Sequence, residues 1–435
     1  MASMMSLLKN IAPLRLAPVS EDTDRATTIL LKELPFTVHE YVSGTECNGW
    51  NVPMKWRPVR AEIRKDGVLV YDGMKHPLGV VGYSTSFHGI VTLDELKKHL
   101  FYHPGIQDSL VYHCDYFYKQ WKRDWGFSVS HTLFDQLEEG DYEIHLETVF
   151  EPGTMKVLDF FLPGEKSDTI LLNAHNCHAA QANDGISGVV VGVEAMKRLQ
   201  KQSRRRYSYR LIVAPEHLGT VFYLAGLPEK FHRTFKAGIF LEMLGTGGRF
   251  ALQESFTGKS KIDRAAVNFL RHHYPDYFQA PFRQIVGNDE TVWESPGYEI
   301  PFISLSRWPY KEYHSDRDNE LIISEERLKE AVDVVMGITN IFETDSQMKR
   351  HFKGLVALSN PKYDLYISTN DPSIRTVVPE EQRRWNYLMD CIIRYFDENM
   401  TILDVAEKHE LDHGQVHNYI KKFEENGLIS LTVAE

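Results

Sequence analysis

Runs of apolar and polar positions change character along the chain, and the changes divide it. Residues 21–34, EDTDRATTILLKEL, read as a helix. From TVHEYVSGTECNGWNVPMKW to about residue 150, short β-rich runs such as AEIRKDGVLVYDG and GDYEIHLETVF alternate with turn residues, and one helix, LDELKKHLFYH, interrupts them. From about 151 to 345 the pattern is strand, loop, helix, repeated: TILLNAH, GISGVVVGVEAMKRLQ, YSYRLIVAPE, KAGIFLEMLG. Buried strands alternating with helices of ten or more residues predict an α/β fold, a mainly parallel sheet with helices on both faces. Past the linker segment STNDPSIRTVVPEEQ, the order is helix (RRWNYLMDCIIRYFDE), helix (TILDVAEKHE), turn (LDHG), helix (QVHNYIKKFEENG) and strand (LISLTV), the order of a winged helix-turn-helix.

The predicted domains are therefore 1–45 as the N-terminal part of the α/β domain, 46–150 as an inserted β-rich domain, 151–350 as the α/β core, 351–377 as a linker, and 378–435 as the winged helix. At 435 residues, two or three domains are expected on size alone. A net charge of -11 argues against a polyanion as the main partner. Over 378–435, six Lys and Arg face twelve Asp and Glu, so the segment whose fold suggests DNA lacks the cations to hold it. Val416, Tyr419, Ile420 and Phe423 form a stripe predicted to fill that segment's own core. His413, His417 and LISLTV are then left to contact the catalytic domain or a second subunit, making a homo-oligomer through the C-terminal or inserted domain one expectation.

The four cysteines, Cys47, Cys114, Cys177 and Cys391, stand far apart with no C-x-x-C pair, which argues against a disulfide framework and for a reducing cytoplasm. The first 25 residues carry only short apolar runs, so neither a signal peptide nor a membrane partner is expected, and no run reaches the roughly 18 apolar residues of a membrane helix.

The chemistry concentrates at the ends of the predicted core strands, where open α/β sheets hold their ligands. HNCHAAQANDG offers His175, His178 and Asp184; APEHLGT offers Glu216; LEMLG offers Glu242; and YKEYHSDRDN offers Tyr313, His314, Asp316 and Asp318. Each has an ordinary alternative. Asp184 could be a helix N-cap, Glu216 could complement a helix dipole, and the histidines could be hydrogen-bonding surface residues. Their joint order at successive strand ends is what suggests a hydrolytic metal site.

These residues also carry a resemblance. A strand-end His, an N-D-x-x-S-G turn opening a helix, an E-x-x-G after the next strand, an acidic L-E-M-L-G strand end and a late Y-H resemble the zinc aminopeptidase/carboxypeptidase superfamily with its phosphorylase/hydrolase-like fold. More closely, CHAAQANDGISG, PEHLG and YHSDRD are similar to C-H-P-S-x-A-N-D-N-x-S-G, P-E-T-I-G and Y-H-T-S-x-D of the bacterial aminopeptidase-like domain proteins, which have an inserted β-rich domain and a C-terminal winged helix. SGTECNGWNVPMKW, HPLGVVGYS and SNPKYDLY extend the likeness over nearly the whole chain.

The resemblance implies a metallo-hydrolase, aminopeptidase-like, acting on a peptide or small amide. His178, Asp184 and His314 match the metal ligands, His175 is the alternative first ligand, Glu216 matches the general base, and Glu242 stands where a further acidic ligand often lies. The superfamily's second-metal ligand is replaced by His217, so one zinc per chain is preferred. Zinc so held lowers the pKa of water towards ~7 while Glu216 takes the proton and returns it to the leaving nitrogen. Arg307, with Tyr313 beside His314, is a candidate to stabilise the oxyanion or grip a substrate carboxylate; its alternative is a structural ion pair. Two other functions stay open: an N-acyl or amide hydrolase of a modified sugar or natural-product intermediate, and a non-catalytic regulatory protein using the winged helix.

Overall fold

TILLNAH and SYRLIVA are buried at every position, as strands covered on both faces must be. In the computed structural model, which describes residues 3–366, 380–397 and 399–433, they lie side by side at the centre of an eight-stranded sheet. Its strands are β1 (Thr37–Val42), β2 (Thr154–Leu162), β3 (Thr169–His175), β4 (Ser208–Ala214), β5 (Phe235–Leu241), β6 (Ala251–Gln253), β7 (Phe278–Ala280) and β8 (Phe302–Ser306). They run in the order β1-β2-β4-β3-β5-β8-β6-β7. The four central strands, β4, β3, β5 and β8, are parallel, and antiparallel pairings of β2 with β4 and of β6 with β8 flank them. The mainly parallel mixed sheet expected from the alternation of strands and helices is thus present. All four central strands end on the same side, so the loops after β3, β4, β5 and β8 meet there.

Helix α1 (Ser187–Lys201) follows β3 through a π-helical turn, Ala182–Ile186. Two glycines let this turn and helix press against neighbouring backbone. A Cβ on Gly188 would fall 1.9 Å from the Leu241 carbonyl at the end of β5, and one on Gly185 would fall 2.6 Å from the His175 carbonyl. Helix α2 (Leu218–Gly226) follows β4 after a single residue of left-handed backbone, His217 at φ +54°.

Residues 46–150 contain a four-stranded antiparallel sheet, with Val68–Asp72, Lys55–Lys65, Asp141–Glu151 and Phe87–Thr92 in that order. Its buried face carries Trp56, Ile63, Ile144 and Leu146, against which Leu96 and Phe127 pack. The helix expected over LDELKKHLFYH stops at Lys98. Leu100 and Phe101 pair with Phe127 and Ser128 instead, and His99 stacks on Trp125 at 3.9 Å, so tertiary pairing takes over the second half of that run.

The chain divides into two compact units, one of Met1–Gly258 with Phe278–Val332, the other of Lys259–Tyr277 with Asp333–Glu435. In the second unit, helices Glu380–Tyr395, Ile402–Lys408 and His413–Glu425 precede the strand Ile429–Val433. That strand pairs antiparallel with Ser346–Arg350. Residues 351–366, read from sequence as linker, pack on this unit's core through Val356, Leu358, Tyr363 and Leu365, and Tyr419 Oη donates to the Leu365 carbonyl at 2.9 Å. Most of STNDPSIRTVVPEEQ lies outside the described residues. Helix Lys261–His273 joins the same unit: Arg264 pairs with Asp404 at 2.6 Å, and Asn268 donates to the Leu411 carbonyl at 3.0 Å.

The stripe Val416, Tyr419, Ile420 and Phe423 is buried in that core. His413, expected to be exposed, is fully buried, because its N–H donates at 3.0 Å to Asn268 and draws the helix start inwards. Neither of its ring nitrogens has a hydrogen-bond partner among the described residues, and Asp345 is 4.0 Å away. Burial lowers its pKa from 6.5 to about 4, with Asp345 opposing. The unfolded chain therefore binds the proton first as pH falls, and stability is lost between pH 6.5 and about 4. Urea titrations across that window should show a loss of up to about 3 kcal/mol. His413→Leu should flatten the dependence; a slope as steep as wild type in that variant would exclude His413 as its source.

Candidate metal centre

Strand β3 delivers His175 to the end of the sheet, and the loop after it returns His178 and then Asp184 to the same place. His175 Nε2 lies 3.2 Å from the main-chain carbonyl of Asp184, which can only accept, so that nitrogen carries the proton and Nδ1 faces Cys177 Sγ at 3.4 Å. His178 has the opposite arrangement. Its Nδ1 donates to the Ala179 carbonyl at 2.8 Å, leaving Nε2 directed at Asp184 Oδ2, 2.9 Å away. His314 Nε2 is 3.5 Å from the same oxygen, while Asp184 Oδ1 is 3.6 Å from His175 Nε2. An imidazole lone pair and a carboxylate oxygen at such a distance require a positive charge between them, either a proton on Nε2 or a cation.

The donor atoms of His178, Asp184 and His314 all lie within 4.8 Å of one another, as do those of His175, Asp184 and Glu242 and those of His175, Cys177 and Glu216. Asp184 thus belongs to two of the three clusters. Glu242 is held from both sides, with Asn288 Nδ2 donating to Oε2 and Ser304 Oγ donating to Oε1 at 3.3 Å.

Burial dominates the electrostatics. It lowers the pKa of His175 and His314 against the pull of Asp184, so both are neutral at pH 7, the form a metal ligand takes. Burial raises Glu216 well above an ordinary carboxylate, with Asp289 and Asp184 adding repulsion. It does the same to Glu242, reinforced by Asp184, Glu290 and Glu216. For Asp184 burial works in the same direction, but His178 and His314 outweigh it and hold the group well below the usual range. Several carboxylates therefore repel one another around neutral imidazoles. The donor set of two free or nearly free imidazole nitrogens and an ionised carboxylate suits zinc.

Residues outside the clusters hold them in place. Asp318 accepts the N–H groups of Asn183 at 2.6 Å and of Asp184 at 3.0 Å, and the Tyr310 hydroxyl at 2.7 Å. Asn183 Oδ1 in turn accepts the Gly245 N–H at 2.8 Å. Asp289 accepts the His217 N–H and, at 2.6 Å, the Thr220 hydroxyl, fixing the left-handed turn after Glu216. His217 Nε2 donates to the Asn288 carbonyl at 3.2 Å and Nδ1 lies 3.6 Å from Glu216 Oε1.

From the β-rich insert, Tyr112 stacks on His178 at 3.9 Å and meets His314 edge-on at 5.1 Å. Tyr313 stacks on His314 from the other direction at 3.8 Å. Asp289 has only a weak signal in the sequence, the polar run GNDE before a short helix, and Tyr112 has none, standing in an ordinary β-rich stretch.

Arg307 is the sequence candidate that stands apart. Its Nη2 pairs with Glu330 at 2.5 Å, Nη1 donates to the Gly248 carbonyl at 2.5 Å, and the guanidinium lies 3.8 Å over Phe250. The structural ion pair, not the substrate-gripping role, is the one these contacts describe.

A sheet of this topology carrying His, Asp and Glu at its strand ends is an aminopeptidase-like fold, and comparison with known proteins agrees. The family model described as "Domain of unknown function (DUF4910)" matches residues 5–345, and the chain belongs to that family. A Clostridium acetobutylicum protein described as a polysaccharide biosynthesis protein with aminopeptidase-like domain is 30% identical over 343 residues, 78% of this chain and 77% of its own length. A crystal structure of a C. acetobutylicum protein described as a peptidase matches with a TM-score of 0.82 at 26% identity, covering 99% of this chain and 96% of that one. The zinc aminopeptidase of Bacillus subtilis shares the fold, with a TM-score of 0.57 at 13% identity over 78% of this chain and 93% of its own.

Asp318→Asn would leave one acceptor oxygen where three donors now converge and would turn an N–H₂ towards backbone N–H groups. The variant should lose about 1–3 kcal/mol of stability in urea denaturation. An unchanged midpoint would show that the Asn183–Asp184 turn does not depend on this carboxylate.

Proposed function

We propose that this protein is a zinc-dependent hydrolase of amide bonds, of aminopeptidase type, with a peptide or small amide as substrate. The observation that carries the reading is the convergence of His178 Nε2 and His314 Nε2 on one oxygen of the buried, ionised Asp184, beside Glu216. His178, Asp184 and His314 would hold the metal. His178 is favoured over His175 because the hydrogen bond of Nδ1 to Ala179 frees Nε2, whereas His175 commits Nε2 to the Asp184 carbonyl. Zinc, when bound, supplies Lewis acidity and lowers the pKa of water to about 7.

The protein's own groups do the proton work. Glu216, whose burial and acidic neighbours raise its affinity for a proton, accepts one from the attacking water and delivers it to the leaving nitrogen. Burial and the carboxylates around it keep the Tyr313 hydroxyl protonated well beyond its ordinary range, so it is a donor suited to a developing oxyanion. One zinc per chain is the preferred count, since His217 stands where the resembling superfamily has its second-metal ligand. The description of the C. acetobutylicum relative favours one variant of this reading, in which the amide is carried on a sugar or a related biosynthetic intermediate.

Elemental analysis of purified protein should find about one zinc per chain, lost in His178→Ala plus His314→Ala. Retention of zinc by that double variant would refute the ligand set, and loss in His175→Ala alone would move the site to the cluster with Glu242. Glu216→Gln should keep its zinc while turnover of aminoacyl and N-acyl amides falls by about two to four orders of magnitude. Near-normal turnover would assign the base to another group.

A further inference from the structure

A cleft of about 270 Å³ reaches the loop Cys177–Ala179, with Tyr112 and His178 at that end. Its walls come from the N-terminal stretch Arg15–Arg25 and from the insert. Its charges do not balance. Arg15, Arg25, Lys55 and Arg57 line it, against Glu21 and Asp22. Lys55 is taken by Glu21 at 3.2 Å and Glu151 at 3.3 Å, and Arg25 by Asp22 Oδ1 at 2.8 Å. Asp22 Oδ2 accepts the Arg15 backbone N–H at 2.9 Å rather than its guanidinium.

Two guanidinium groups are left over. Arg15 Nη1 is buried with no hydrogen-bond partner among the described residues, and Arg57 makes no ion pair among them. A buried guanidinium nitrogen without an acceptor is costly, and an oxyanion arriving with a ligand would remove that cost. Arginine's planar fork matches carboxylate and phosphate oxygens two at a time. Trp56, Leu78, Tyr83 and Phe117 supply apolar surface in the same cleft, so a ligand here has both an apolar body and a charged end.

We propose that the substrate carries an oxyanion, a carboxylate or a phosphate, set away from the bond that is cut, and that Arg15 and Arg57 recognise it. The inference rests on the hydrolase reading above for what happens beside the loop Cys177–Ala179, but the anion site itself does not. Arg15 and Arg57 are specificity residues in this arrangement and touch no reacting atom.

The test uses the full-length zinc-loaded protein and matched amide substrates: Glu against Gln side chains on either side of the scissile bond, and phosphoserine against serine. The anionic member should be cleaved with a kcat/KM about ten- to a hundredfold higher, chiefly through KM. Arg15→Ala plus Arg57→Ala should abolish that preference while leaving the neutral substrates unchanged, and Arg15→Lys should keep part of it. The Glu and phosphoserine arms distinguish carboxylate from phosphate. Equal cleavage of both members by wild type, or an unchanged preference in the double variant, overturns the proposal.

In parallel, glutarate and inorganic phosphate are titrated into the full-length protein, with and without zinc, following tryptophan fluorescence. Saturable binding lost in Arg57→Ala, an exposed position where folding is not at risk, supports the anion site even if no amide is cleaved and the hydrolase reading falls. No saturable binding of either anion overturns it.

Discussion

One carboxylate ties the candidate site together. Asp318 receives the N–H groups of Asn183 and Asp184, so the turn after β3 and the loop carrying His314 are fastened at a single point. A carboxylate accepting two backbone donors and a phenol is fully satisfied despite its burial, and it remains so only while both loops keep their positions. Asp184 is aimed at the two imidazoles as a consequence. The same turn is gripped from its other side by Asn183, whose Oδ1 takes the Gly245 N–H after β5, and by Ser187, whose hydroxyl accepts the Leu244 N–H at 2.9 Å. Three strand-end loops are thereby held in register by hydrogen bonds that run between them.

The insert is a second support. Ser109 Oγ and Leu110 N–H both donate to Asp316 Oδ1, at 2.5 and 3.0 Å, and the Tyr112 N–H donates to the His314 carbonyl at 2.8 Å. These bonds stitch residues 109–112 along the loop that carries His314, whose backbone sits at φ +54°. A left-handed conformation at a residue with a Cβ persists only where the surroundings impose it. The aromatic rings of Tyr112 and Tyr313 then pack against His314 and His178. The β-rich domain therefore contributes to the site directly as well as lining the cleft beside it.

Negative charge gathered in a dry environment explains why a cation suits this centre. Glu216 and Glu242 are pushed up by burial and by their acidic neighbours, and Asp184 stays ionised only through the imidazoles. A divalent ion would relieve that repulsion in one step; Arg283 opposes it at Glu216 without outweighing it, and Arg307 and Arg210 are committed to Glu330 and Asp159.

Much of this was legible in the sequence because it follows from short-range rules. TILLNAH and YSYRLIVAPE could only be buried strands, and the alternation with helices fixed a mainly parallel sheet and hence the side on which His175, Glu216, Glu242 and their neighbours would emerge. The stripe on helix His413–Glu425 was equally readable, since it depends on helical period alone. Where distant segments compete for the same groups, the sequence was silent or misleading. Arg307 looks like a substrate-binding cation until Glu330 and Phe250 are seen to occupy it; His413 looks exposed until Asn268 draws it inwards; residues 351–366 look like a linker until Leu365 and Tyr363 find a core. Which histidine nitrogen is free, which carboxylate holds the turn, and which two arginines in the cleft have no ion pair among the described residues are matters of atoms a few ångströms apart, brought together from segments distant in the chain. Periodicity and composition determine which elements form and which way they face; only the packed structure decides which polar groups satisfy one another and which are left for a ligand.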